Sequence, residues 1–218
     1  MIARNGNADR IPRASVACGA LFAILLTGLH VLEPEFDPTW RFVSEYMLGT
    51  FGWMMSAAFV AIASNLALTG IVVVREARTV PIVLGLIVLY IAVVGLLIAA
   101  IFPTDSITTA TGSMSFSGRM HVLGASLDYT PVAALLITIG LTRRPGWREM
   151  RGVLMATAIV TILLTVAFIV SMPPDYKFGP GTYTGLIGRL LLLSYLGWTI
   201  PLSFHAVSLR RIAALRRS

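Results

Sequence analysis

Six apolar runs, each about the length that crosses hydrocarbon, constrain this sequence more than anything else in it: residues 14–32, 51–74, 80–102, 121–141, 152–172 and 185–209. Backbone surrounded by lipid must satisfy its hydrogen bonds within its own segment, so runs of this kind predict helices. A chain that is 56% hydrophobic and 12% charged, with a mean hydropathy of +0.83, is too apolar for a water-soluble core. The expected fold is therefore all-α: a polytopic membrane protein built as a six-transmembrane-helix bundle. Residues 1–13 form an N-terminal tail, 14–209 the transmembrane domain and 210–218 a basic C-terminal tail. No room is left for a separate soluble domain.

The first run follows Arg4, Arg10 and Arg13, as a secretory signal would. No small-x-small cleavage site precedes Glu33, so it reads as a retained helix. Cys18 is the single cysteine, which rules out an intrachain disulfide and a cysteine metal cluster and leaves it a packing residue.

The net charge of +7 is a matter of topology and implies no nucleic-acid partner. Thirteen of the 17 basic residues fall on one side of the spans: Arg4, Arg10, Arg13, Arg75, Arg78, Arg143, Arg144, Arg148, Arg151, Arg210, Arg211, Arg216 and Arg217. Arg41, Arg119, Lys177 and Arg189 fall on the other. The positive-inside rule then places both termini in the cytoplasm and the chain in a plasma (inner) membrane of bacterial type. Acidic residues show the opposite bias, with Glu33, Glu35, Asp37, Glu45, Asp105, Asp128 and Asp175 on the outer side or in the outer half. Acids contribute little to insertion, so this bias is free to mark a site.

Each outer loop joins proline to acid, in Glu33-Pro34-Glu35-Phe36-Asp37-Pro38, Pro103-Thr104-Asp105 and Pro173-Pro174-Asp175. Converging carboxylates would hold a divalent cation, and helix-ending turns favour the same residues without any ligand. Within the fourth run, His121 and Asp128 are spaced to share one helical face, and Arg189 enters the sixth run at similar depth. An Asp128–Arg189 ion pair is expected, either structural or functional, because an unpaired charge in hydrocarbon is costly. Ser44 is placed to N-cap the second helix with Glu45 in its first turn, or both residues belong to the outer site. Trp40, Trp53, Trp147 and Trp198 read as interfacial anchors, and Asn65 as a bond to a neighbouring helix. Gly181 and Gly185 fit either a small-residue packing pattern or a turn.

Val43-Ser44-Glu45, Phe102-Pro103-Thr104-Asp105 and Gly118-Arg119-Met120-His121 with Ala125 resemble, in order and spacing, the domain-of-unknown-function 998 family of prokaryotic six-helix membrane proteins. Tyr46 stands where that family's first motif carries leucine. The resemblance implies a shared six-helix fold with polar residues near the outer surface, and no established reaction. A three-histidine zinc site of the alkaline ceramidase or adiponectin receptor kind is excluded. His30 and His121 lie at the outer end and His205 at the inner, most of a membrane apart, whereas zinc ligands sit about 2 Å from the metal. His205 is expected at the inner interface beside Arg210 and Arg211.

The expected function is binding of a small polar ligand, a cation or a lipid headgroup in an outward-facing polar pocket. Asp105, His121, Glu45 and Ser44 are candidate catalytic residues for a lipid-modifying hydrolase, and Asp105, His121 and Glu45 are the candidate ligands for a metal. Asp128, Arg189, Arg119, Asp37 and Asp175 are candidate ligand-binding residues. The alternatives are a small transporter, or a structural or accessory subunit. Membrane lipids, another membrane protein or a second copy of the chain are the expected partners.

Overall fold

The computed structural model describes residues 9–76, 79–174 and 177–215. Among the described residues, seven α-helices and three short 3-10 turns make up the regular structure, and there is no strand. The helices are α1 (Arg10–Leu32), α2 (Gly52–Val74), α3 (Val80–Ile101), α4 (Phe116–Ser126), α5 (Thr130–Leu141), α6 (Arg151–Val170) and α7 (Thr184–Leu215). Among the described residues, six segments are long and apolar enough to cross a membrane, with α4 and α5 together forming the fourth crossing.

Successive spans pack side by side, α1 on α2, α2 on α3, α3 on both α4 and α5, then α5 on α6 and α6 on α7. The ring closes where α7 returns to α1, and α7 also touches α2. The core lies along α2, α3 and α7, where Met55, Ile62, Leu66, Ile82, Leu89, Tyr195, Trp198 and Leu202 are all but fully buried. Over its apolar stretch α6 is only 17% buried, against 61% for α2, and it turns Val160, Leu163, Val166 and Ile169 outward. Outward-facing apolar side chains suit a helix whose other face meets lipid. Helix α7 has 32 residues, about 48 Å at 1.5 Å each, and so extends beyond a hydrocarbon layer of about 30 Å.

The fourth span departs from the uninterrupted helix expected over 121–141. It breaks at Leu127-Asp128-Tyr129, so α4 and α5 do not share one continuous face. The break occurs where Pro131 enters the first turn of α5 and Asp128 folds back on it, its Oδ1 accepting from the Thr130 amide at 3.2 Å and the Thr130 hydroxyl at 2.6 Å. These bonds fold the chain into a turn just ahead of the new helix, and proline fits the helix's first turn without losing a bond. On the α3 side, Gly95 and Gly124 bring the two backbones together, and a Cβ on either would overlap the carbonyl of the other.

Two tryptophans are core residues and not anchors at the interface. Trp198 is fully buried and donates to the Thr138 hydroxyl at 3.0 Å, and Trp147 is buried against His205. Trp53 is exposed, in keeping with an anchor. His205 is likewise buried, donating from Nε2 to the Gly146 carbonyl at 2.7 Å. Asn65 does bond its neighbouring helix, donating to the Ser15 carbonyl at 2.8 Å.

Candidate functional site

The acidic end of the bundle carries a cap built from residues 33–51, the 102–115 loop and the start of α7. Its centre is Arg189, 3% exposed, one turn into α7. Nη1 donates to three carbonyls, Arg41 at 2.6 Å, Gly185 at 3.1 Å and Pro38 at 3.2 Å. Nε donates to His30 Nε2 at 2.9 Å. His30 Nδ1 lies 2.7 Å from the Leu26 carbonyl, which can only accept. The ring is therefore the Nδ1–H tautomer, with its Nε2 lone pair turned to the arginine. The guanidinium carbon stands 5.3 Å from the centroid of Tyr46, and that ring meets His30 edge-on. Gly185 makes this closeness possible, since a Cβ there would overlap the Arg41 carbonyl. Its packing role is thus real, at a site where a loop crosses a helix.

The expected Asp128–Arg189 ion pair does not form. Asp128 Oδ2 accepts from the Tyr195 hydroxyl at 2.9 Å, while its Oδ1 is held by Thr130. The reason is the helix break: Asp128 is held by the amide and hydroxyl of Thr130 at the start of α5 and by Tyr195, and Arg189 by carbonyls of the 38–41 loop. Each charge finds dipoles nearer than the opposite charge.

Glu45, 1% exposed, sits in the 3-10 turn Val43–Leu48, where Ser44 is also buried. Ser44 does not cap α2, because six residues of turn and loop separate it from the N-cap, Phe51. Glu45 Oε2 accepts from the Phe42 amide at 3.1 Å. Its Oε1 accepts from Arg41 Nη1 at 3.0 Å, the Ile107 amide at 2.9 Å and the Ser106 hydroxyl at 3.4 Å. That carboxylate ties the two cap loops together and has little capacity left for a ligand.

Asp105 and His121 both fall at the α3–α4 junction, on different partners. Asp105 Oδ2 accepts from the Ser115 amide at 2.7 Å and packs so closely on Gly118 that a Cβ there would overlap it. His121 Nδ1 lies 3.0 Å from the Ala99 carbonyl and 2.8 Å from that of Phe102, and so carries the proton that caps the end of α3. Among the described residues, no three His, Cys, Asp or Glu side chains come together as a metal site, and Glu45, Asp105 and His121 do not meet as a ligand set. Arg119 is exposed and donates to the Met114 carbonyl at 2.6 Å. Asp37 accepts from the Thr39 hydroxyl at 2.6 Å and amide at 2.8 Å, and these bonds, the hydroxyl's foremost, hold its carboxyl below the usual range. Asp175 lies outside the described residues.

Four groups of the cap are buried with no hydrogen-bond partner among the described residues: Arg189 Nη2, Tyr46 Oη, Arg41 Nε and Glu33 Oε2. The other Glu33 oxygen accepts from the Phe51 amide. Sequence reasoning missed His30, Tyr46 and Tyr195 as members of these networks, and named Glu33 as an acid of the first outer loop. A polar side chain one turn from the end of an apolar run, as His30 is in α1, was the signal available.

The fold and its polar cap define a multi-pass helical membrane protein. The chain belongs to the family described as protein of unknown function (DUF998), which matches residues 16–205. No curated protein and no solved structure matches it.

Proposed function

We propose that the cap at the acidic end recognises a small polar molecule or lipid headgroup bearing an anionic group, with Arg189 and Tyr46 as its donors. The observation that carries this reading is the pair of uncommitted donors on neighbouring buried side chains, Arg189 Nη2 and Tyr46 Oη. A buried donor left unpaired costs about 1–3 kcal/mol, and an anion supplies acceptors for both. A phosphoryl or carboxyl group suits the planar guanidinium. Hydrolysis by Ser44, Asp105 and His121 has less support, since the latter two are engaged by backbone groups and no hydrogen bond joins the three.

The orientation is part of the proposal: the arginine-rich end faces the cytoplasm of a bacterial-type inner membrane, so the cap opens outward. In a Cys18→Ala background, Leu215→Cys resists an impermeant thiol reagent in intact cells and Ala110→Cys reacts; the reverse labelling overturns the orientation. For the ligand, the full chain in nanodiscs is titrated with O-phosphoethanolamine and, separately, acetate. A saturable rise in melting temperature that Tyr46→Phe abolishes supports the site. No rise beyond that of sodium chloride at equal ionic strength refutes it.

A small transporter is the second reading. It rests on the buried polar side chains that continue along α7 below Arg189, namely Tyr195, Thr199 and Ser203, the last reaching Ser15 at 3.5 Å. Counterflow of the same two probes in proteoliposomes tests it, and binding without flux removes it.

A further inference from the structure

At the opposite end of the bundle, Ile139, Thr142, Arg143, Arg148, Arg151 and Met155 line a half-open cavity of about 670 Å³ between α5 and α6. Its volume lies within the roughly 300–1,000 Å³ of small-molecule sites. The loop over it, residues 142–151, carries four arginines and one acid, and their commitments differ. Arg144 turns away to the α2–α3 loop, where it meets Glu76 Oε2 at 2.7 Å and the Glu76 carbonyl at 2.8 Å. Glu149 points to the other side, 3.6 Å from His205 Nδ1. Thr142 gives its hydroxyl proton to the Thr138 carbonyl at 2.8 Å. The guanidinium groups of the three remaining arginines, all on the cavity, have no acid and no hydrogen-bond acceptor among the described residues. Three cations thus share one concavity from which the neighbouring carboxylates are turned away.

We propose that this cavity binds the phosphate headgroup of an anionic phospholipid in the leaflet at the arginine-rich end. The composition of the wall favours a lipid over free phosphate. Ile139, near the end of α5, and Met155, one turn into α6, add an apolar flank on the span side of the arginines. Helix α6, which forms that side, is the least buried span and so borders the lipid. A headgroup held by the arginines would leave its acyl chains lying along these apolar residues. Basic pockets between helices at a membrane surface recognise anionic headgroups in this manner.

The test uses the full chain purified in a neutral detergent and titrated with phosphatidylglycerol or phosphatidylcholine in mixed micelles, with bound lipid counted by native mass spectrometry. Phosphatidylglycerol is expected to bind saturably and phosphatidylcholine not. The triple variant Arg143→Gln, Arg148→Gln, Arg151→Gln should weaken binding on the order of 100-fold, about fivefold per arginine. The comparison variant Arg10→Gln, Arg13→Gln, Arg211→Gln removes equal charge at the same end of the bundle and should change binding less than about twofold. Equal losses in the two variants would reduce the effect to diffuse attraction and overturn the site. Full displacement of the lipid by millimolar inorganic phosphate would assign the cavity to a free anion and overturn the lipid. Should the triple variant not fold, the three single replacements are read instead, and unchanged binding in all of them refutes the proposal.

Discussion

The two ends of this bundle hold their charges in opposite ways. At the acidic end Arg189 is knit into backbone carbonyls and Glu45 into backbone amides and the Arg41 guanidinium, and the residue that holds a loop in place is the same one that would meet a ligand. At the arginine-rich end Arg143, Arg148 and Arg151 are exposed and their side chains are bonded to nothing described. The difference follows from desolvation. A buried charge must be hydrogen-bonded within the protein before folding can tolerate it, whereas an exposed one keeps its water until a partner replaces it. Buried charge therefore reports on architecture first, and exposed, uncommitted charge reports more directly on ligands.

The largest expected effect tests the first half of that contrast. Arg189→Leu strands the Arg41 and Pro38 carbonyls and the His30 acceptor, while the Gly185 carbonyl keeps its bond within α7, a loss of roughly 3–5 kcal/mol at about 1–3 kcal/mol per stranded group with partial relaxation. In detergent melting this is a fall on the order of 10 °C. A fall of less than about 2 °C would mean that the cap does not depend on this residue.

Asp128→Asn comes next, with an expected loss of about 1–3 kcal/mol as the Thr130 and Tyr195 bonds are weakened. Double-mutant cycles sharpen the point. Asp128→Asn should couple to Tyr195→Phe by more than about 0.5 kcal/mol and be additive with Arg189→Leu. Coupling of Asp128 to Arg189 instead would restore the ion pair that the helix break removes.

Smaller still is the effect of the triple arginine replacement at the opposite end, where each change should cost under about 0.5 kcal/mol because no described bond is broken. A large loss of thermal stability there would erase the contrast between the two ends.

The smallest effect belongs to Asp37, which is half-buried and held ionised chiefly by the Thr39 hydroxyl. A carboxyl depressed in the folded state stabilises above its ordinary pKa, and that contribution disappears as pH falls through the depressed folded value. The wild type should thus show a slight added loss of melting temperature at acid pH that Asp37→Asn lacks. Identical acid profiles would show that the Thr39 bonds do not matter to stability.

The amino-acid sequence by itself determined the spans. Apolar length, proline at helix ends and the exclusion of polar backbone from lipid are local properties, and α2, α3 and α6 begin and end within two residues of where the runs do. It also marked the acidic end as the polar one, placed Glu45 and Asp105 there, and bonded Asn65 to a neighbouring helix. Only the tertiary structure decided which polar groups meet. Asp128 and Arg189 share depth and opposite sign, which suggested a pair, but depth says nothing about azimuth around a bundle. The break at Leu127-Asp128-Tyr129 and the crossing of the 38–41 loop over Gly185 set that azimuth. Both are contests in which nearby backbone dipoles win over a distant charge, because hydrogen bonds act over about 3 Å and must be satisfied first when the groups are buried.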